Sequence, residues 1–267
     1  MSKKSSTFAG FLVGMNSEKI IHKFHKACAD YGLLADGDHV LIGLSGGKDS
    51  LALTELLGRR SRIYKPRFRV TALHVRVKER DYRTDTRYLE SFCAEAGVPF
   101  IVRDTMINDE MSASLNDTPA ASNDANPCFL CSWYRRKTLF NVAQELGCNK
   151  IALGHHRDDL IETLLMNLIY QGTFATMPPI LPLDKMPLQI IRPLCLIDEK
   201  ELIAYAAERG YEKPPKLCPF EHVSAREKVK GLLAEIKAMN PEATDSIYAA
   251  MTNIKSGYLP NVKTLNS

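Results

Sequence analysis

The chain predicts an α/β fold: a doubly wound parallel sheet of about five strands with helical extensions at both ends. Three observations predict it. Short apolar runs alternate with helix-period stretches about five times along the chain. A glycine-rich turn, Leu44-Ser45-Gly46-Gly47-Lys48-Asp49-Ser50, separates the first such run from the first such helix. A second polar turn, Gly154-His155-His156-Arg157-Asp158-Asp159, follows the fourth run in the same way. Open sheets of this kind bind ligands outside the carboxyl ends of their strands. Both turns, and His74, fall at such ends.

The elements follow in order. Ser17 to Tyr31 places Ile20, Ile21, Phe24, Ala27 and Cys28 at helical spacing, with Lys19, His22, Lys23 and Lys26 on other faces. Gly32 ends that basic helix. His39–Gly43 is the first strand, and Leu51–Leu57 lies on the helix after the glycine turn. Arg59 to Arg69 is the densest basic run, with Tyr64 and Phe68 interleaved. It is either a solvated connection or a contact for nucleic-acid phosphates. Val70–Val75 is the second strand, about Thr84 to Ala96 a helix, and Pro99–Val102 the third strand. Asn108 to Pro127 has no periodicity and has the length of a functional loop. Ser132–Leu146 is a helix with Arg135, Arg136 and Lys137 near its start. Lys150–Gly154 is the fourth strand, followed by a helix to about Tyr170. After proline-rich loops, Gln189–Leu194 is the fifth strand. Asp198 and Glu201 form a capping box for the next helix, ended by Gly210. The tail holds a helix to about Met239, a break at Asn240-Pro241 and a last helix to about Ile254.

Composition sets the class. The chain has 267 residues, 45% hydrophobic and 25% charged, as in an ordinary soluble globular protein. No apolar run approaches a membrane span of about 20 residues, and the start, Met1 to Ser6, reads as no signal peptide. A cytoplasmic protein is expected. Its seven cysteines are then thiols or metal ligands rather than a disulfide framework. A net charge of +4 is mild, but an average can hide a basic face.

The glycine turn is built for phosphate. Gly46 and Gly47 permit φ > 0 and close backbone approach. The helix behind them offers free N–H groups and its positive dipole end. Ser45 and Ser50 add hydroxyls, and Lys48 adds a cation. Asp49 would repel phosphate unless it holds Mg²⁺ or orients the lysine. This is not a Walker A loop, because Asp49 follows Lys48 and Ile42 stands where the first glycine should be.

Cys128-Phe129-Leu130-Cys131 is a CxxC, a pattern shared by zinc, redox and iron–sulfur sites. Cys218, between prolines, is the natural third ligand. Cys28, Cys93, Cys148 and Cys195 have apolar neighbours and read as small buried hydrophobes. Three thiolates leave either a zinc or a four-iron cluster one ligand short. A histidine would complete a structural zinc; a cluster would keep an open iron.

Ser-Gly-Gly-Lys-Asp-Ser resembles the PP-loop of the ATP pyrophosphatase superfamily, whose Rossmann-like domain splits ATP between its α- and β-phosphates. The full order extends the likeness: Ser45–Ser50, Cys128/Cys131, Leu153 to Asp159, Met177-Pro178-Pro179, Ile191-Arg192-Pro193-Leu194, then a late cysteine. Over roughly residues 20 to 220 this resembles the tRNA 2-thiocytidine synthetases (TtcA-type tRNA cytidine thiolases). The resemblance implies ATP-dependent exchange of the C2 oxygen of an anticodon-loop cytidine for sulfur. It implies ATP and Mg²⁺ at Ser45, Gly46, Gly47, Lys48, Asp49 and Ser50. It implies a [4Fe-4S] cluster on Cys128, Cys131 and Cys218. His74, Gly154 and Arg192 are expected beside the nucleotide, with Asp49 on Mg²⁺ and Asp159, or Asp158 in its place, either sharing that role in catalysis or capping the helix that starts there. The expected partners are tRNA, a sulfur donor such as a cysteine desulfurase, and a second copy in a homodimer.

One departure stands out. Family members often carry a second late CxxC, and Pro215 occupies the place of its first cysteine. A three-cysteine cluster survives this. Two other readings stay open: a pyrophosphatase or ligase acting on another RNA base or a small molecule, and a non-catalytic iron–sulfur or zinc RNA-binding protein. The expected division is 1–36 helical extension, 37–212 nucleotide domain with the CxxC, and 213–267 helical segment with the third cysteine.

Overall fold

The computed structural model describes residues 5–77, 86–106, 127–212 and 225–259, with side chains from residue 16 in the first stretch and from 131 in the third. The chain divides into two compact units, Met1–Leu160 with Met177–Val223, and Ile161–Thr176 with Ser224–Ser267.

The first unit is built on a sheet in the order β3-β2-β1-β4-β6-β5. Its strands are β1 His39–Gly43, β2 Arg69–Val77, β3 Phe100–Thr105, β4 Lys150–Ala152, β5 Ile180–Pro182 and β6 Gln189–Ile191. All neighbours pair in parallel except β5, which runs antiparallel to β6. Its helices are α1 Ser5–Asp30, α2 Lys48–Ser61, α3 Thr86–Ala96, α4 Pro127–Glu145 and α6 Glu199–Glu208, while α5 Arg157–Gln171 belongs to the second unit from Ile161 onward.

Strand alternation sorts the core into two faces. Val40 and Ile42 of β1 meet Phe24 of α1, Leu53 and Leu57 of α2, Leu89 of α3 and Leu202 of α6. Leu41 of the same strand points the other way, to Leu139 and Val142 of α4. A strand buried on both sides is the continuous apolar run that the sequence displayed. The chain adds β2 and β3 on one side of β1, then returns to place β4 on the other. That reversal opens a crevice between the carboxyl ends of β1 and β4.

Two elements depart from expectation. The sheet has six strands rather than about five. The extra one, β5, is three residues long and ends in Pro182, which an edge position tolerates. In addition, α4 opens at Pro127 rather than Ser132, a residue suited to a helix's first position. The CxxC therefore lies in the first turn of α4. The aperiodic stretch 108–127 falls outside the described residues except at Pro127.

The N-terminal helix is part of the core cover. Ile20 and Phe24 are buried, and Lys19 and Lys23 reach Glu201 of α6 at 2.8 and 2.7 Å. In the second unit α7 Ala225–Met239 and α8 Ala243–Ala250 flank Pro241. Val229 and Leu233 of α7 are buried there, and Arg226 pairs with Glu162 at 3.1 Å.

Two predictions concern stability. Lys150 and Asp38 form a buried pair at 2.7 Å, and Lys150 also donates to the Leu33 carbonyl at 2.9 Å. Lys150→Met removes the counter-charge of the Asp38 carboxylate, which keeps the Ala35 N–H and Asn149 Nδ2 as donors, and should cost about 3 kcal/mol in urea denaturation. Burial opposes ionisation of Glu201, but hydrogen bonds from Lys19 and Lys23 prevail and hold its pKa at about 2. Unfolded, a glutamate titrates near 4.3. Its contribution is complete above about pH 4.3 and disappears as pH falls through about 2. The stability gap between wild type and Glu201→Gln, measured against pH, should close over that window.

Candidate active site

The glycine turn continues the β1 ladder by one bond, Leu44 N–H to the Leu73 carbonyl at 2.9 Å. Gly46 takes φ +90°, a conformation open to glycine and strained for other residues. Gly47 is the N-cap of α2. The two serines fasten the turn: Ser45 Oγ and Ser50 Oγ lie 3.1 Å apart. Gly46 N–H donates to Ser50 Oγ at 3.2 Å, Gly47 N–H to Ser45 Oγ at 3.3 Å, and Ser50 Oγ–H to the Gly47 carbonyl at 2.9 Å. Both hydroxyls thus shape the loop. Lys48, Asp49 and Ser50 open α2, where N–H groups have no acceptor within the helix. An anion is the natural partner for them.

Lys48 Nζ sits 3.1 Å from Asp49 Oδ2 and 3.4 Å from Glu199 Oε1. Asp49 Oδ1 is buried and has no hydrogen-bond partner. An orphaned carboxylate oxygen beside a phosphate cradle suits a hard cation such as Mg²⁺, which binds through one or two carboxylates and substrate phosphates.

Gly154, just past β4, forms the other wall. A Cβ there would lie 3.1 Å from both Asp49 C and Ser50 N. A side chain there would press the β4 turn against the first turn of α2. The polar string beyond it is largely structural. Asp159 Oδ2 accepts the His156 N–H at 3.0 Å and so caps its own helix. Asp158 is buried and accepts the Glu199 N–H at 2.8 Å, capping α6. Arg157 pairs with Asp198, the N-cap of α6.

His74 and Arg192 close the site from neighbouring strands. His74 is buried, and its Nδ1 lies 2.8 Å from the Leu44 carbonyl that opens the glycine turn. Burial first, then the charges of Arg135 and Arg76, push its pKa down against that hydrogen bond. The imidazole is therefore neutral, with Nδ1–H donating to Leu44. Arg192 follows β6 and is buried. Its Nη1 donates to the Pro178 carbonyl at 2.6 Å and its backbone N–H to the Pro179 carbonyl at 2.8 Å. The Met-Pro-Pro and Ile-Arg-Pro-Leu strings are thus one device. Arg192 Nε is buried without a partner. Burial, supplemented by nearby Arg136, lowers the guanidinium below its ordinary pKa.

The basic run lies elsewhere. α2 has 14 residues, about 21 Å at 1.5 Å each. Arg59 to Arg69 join its far end to the start of β2, so this run is at the opposite end of the sheet from the glycine turn. Several members are internally engaged: Arg62 donates to the Ala96 carbonyl at 2.7 Å and Arg60 to the Lys65 carbonyl at 2.8 Å. Sequence reasoning missed Glu199. Its only signal was its place between the capping residues Asp198 and Glu201.

A PP-loop domain model matches residues 16–212. The tRNA-cytidine(32) 2-sulfurtransferase of Sorangium cellulosum is 37% identical over 242 residues, 90% of this chain and 83% of that one. The protein of the same name from Coxiella burnetii is 35% identical, over 91% of this chain and 92% of its own. A solved U34-tRNA thiolase from Methanococcus maripaludis, with its [4Fe-4S] cluster, superposes with a TM-score of 0.69 at 26% identity. That match covers 94% of this chain and 82% of the other. The chain belongs to the PP-loop family of tRNA-cytidine(32) 2-sulfurtransferases.

The cysteines of this PP-loop protein fall into two groups. Cys28, Cys93, Cys148 and Cys195 are buried, and burial raises the first two to about 12 and Cys148 to about 11. They are core residues, as their neighbours suggested. Cys131 is half-buried in the first turn of α4. The Cys128 side chain and Cys218 lie outside the described residues. Among the described residues no three histidine, cysteine or acidic side chains gather as a metal cage, and no helix is long and apolar enough to cross a membrane. Trp133 and Tyr134 pack edge to face at 4.9 Å, with Tyr134 buried.

Gly154→Ala tests the wall of the PP-loop. Its methyl must push the first turn of α2 by a few tenths of an ångström. The expected result is a loss of ATP affinity of about tenfold, the cost of displacing preorganised donors, read by calorimetry, while the far-UV spectrum is unchanged.

Proposed function

We propose that this chain is an ATP-dependent tRNA thiolase that replaces the C2 oxygen of a cytidine with sulfur, at position 32 as the names of its relatives state. One observation carries the reading. Gly43, the last residue of β1, faces the cysteine-bearing helix: a Cβ there would lie 3.7 Å from Leu139 Cδ2, and Cys131 precedes Leu139 on that helix. The cysteine-bearing helix and the phosphate cradle therefore share one end of the sheet.

ATP rests its phosphates against the Ser45–Ser50 turn, on the free N–H groups of the first turn of α2. Lys48 and Arg192 supply positive charge, and Asp49 holds Mg²⁺. The cytidine O2 attacks the α-phosphorus, forming an O–P bond as the bond to pyrophosphate breaks. Lys48 stabilises the charge that grows on the phosphates. Sulfide then adds to the activated C2, and AMP leaves with the original oxygen. Cys128, Cys131 and Cys218 would hold the [4Fe-4S] cluster, which supplies an iron open to sulfur. Asp159 belongs here as the cap that fixes the helix beside Gly154. Loop bases are the cheapest to unstack, which favours an anticodon-loop target. A cysteine desulfurase fits as sulfur donor, and a homodimer in the cytoplasm is the expected setting. We assign the CxxC to the nucleotide domain, 37–212, and the third cysteine to the C-terminal segment, 213–267.

The test is nucleoside mass spectrometry of tRNA from cells with and without the gene. 2-Thiocytidine should vanish on deletion, return with the wild-type chain, and fail to return with Cys131→Ala or Lys48→Ala. Unchanged 2-thiocytidine in the deletion strain would overturn the assignment.

A further inference from the structure

Lys48 is the cation of the phosphate cradle, yet it is not left to solvent. Its ammonium lies between two carboxylates, Asp49 Oδ2 at 3.1 Å and Glu199 Oε1 at 3.4 Å. Asp49 is its chain neighbour. Glu199 is far away in sequence and reaches the loop only because α6 is anchored there. Three contacts do the anchoring. Asp158 Oδ2 accepts the Glu199 N–H at 2.8 Å. Arg157 pairs with Asp198, one residue before it. The Arg157 N–H donates to the Ile197 carbonyl at 2.9 Å. The Arg-Asp pair that follows the two histidines thus serves to place one glutamate beside one lysine.

We propose that Glu199 is a positioning residue for Lys48. It holds the ammonium at the mouth of the PP-loop before ATP enters, so incoming phosphate competes with a carboxylate for the same cation. Two opposite consequences follow. Removing the Glu199 charge frees Lys48 and takes a negative group away from the phosphates, so nucleotide binds more tightly. The same change leaves the lysine unaimed, so transfer to the base slows. A residue that merely held the fold together would weaken both.

The inference rests on ATP binding at the PP-loop, and the test separates the two. In anaerobically purified holoenzyme, ATP affinity is measured by calorimetry in EDTA, and AMP formation is measured with tRNA and Mg²⁺. Glu199→Gln should bind metal-free ATP about fivefold more tightly, the size of a partly exposed ion pair. It should form AMP about tenfold more slowly. Glu199→Asp should recover part of both effects. Asp158→Asn, which weakens the cap on Glu199, should shift both in the same directions by less. Unchanged or weaker ATP binding in Glu199→Gln, or an unchanged rate of AMP formation, overturns the proposal. The binding arm uses neither tRNA nor Mg²⁺, so it reads the Glu199 contact even where the thiolation chemistry fails.

Discussion

Gly154 has no side chain, and the binding edge is built on that absence. Its Cα lies where a methyl would stand 3.1 Å from the backbone of Asp49 and Ser50. This closeness joins two loops that come from opposite sides of the topological reversal, one after β1 and one after β4. The free N–H groups of α2 therefore open beside a second loop, with Lys48 and Asp49 half-buried there. Polar interactions are stronger there than in bulk water. His74 supports the same loop from below through the Leu44 carbonyl, and burial keeps that imidazole neutral.

The polar string after Gly154 looks like a row of catalytic groups, yet most of it is occupied in construction. Asp159 caps α5, Asp158 caps α6, and Arg157 pairs with the α6 N-cap. Each ties a helix start to the carboxyl edge of the sheet. Carboxylates that accept backbone N–H bonds are held in place, and Asp158 is buried as well. Arg192 does similar work from β6 through the Pro178 and Pro179 carbonyls. It retains one buried, unpartnered nitrogen, Nε, for a ligand. The edge is therefore preorganised, and among the described residues the α2 N–H groups, Asp49 Oδ1 and Arg192 Nε remain for a ligand.

Much of this could be read from the sequence, and the exceptions have physical causes. β1 and β2 were visible because strands buried on both faces are continuous apolar runs. The capping box at Asp198 and Glu201 was visible because capping chemistry is local, and its bonds are present. β5 was hidden by its three residues and its proline. The start of α4 was hidden because a helix's first turn carries no apolar period of its own. The basic run Arg59–Arg69 drew attention by charge density, but density along the chain does not tell which end of a sheet it occupies. Glu199 was invisible for a related reason: its importance lies in a contact with a residue 151 positions away. Side-chain pairs across such distances are set by topology, which a periodic pattern implies only in outline.

The central claim is that the cytidine oxygen is activated by attack on the α-phosphorus of ATP held on the loop after β1. Oxygen-18 placed at C2 of the target cytidine in tRNA tests it directly, by mass spectrometry of the nucleotide released in a single turnover. The account predicts AMP carrying the label in its phosphate, one for each 2-thiocytidine formed. Label in inorganic phosphate alongside ADP, or in water with unlabelled AMP, would contradict it.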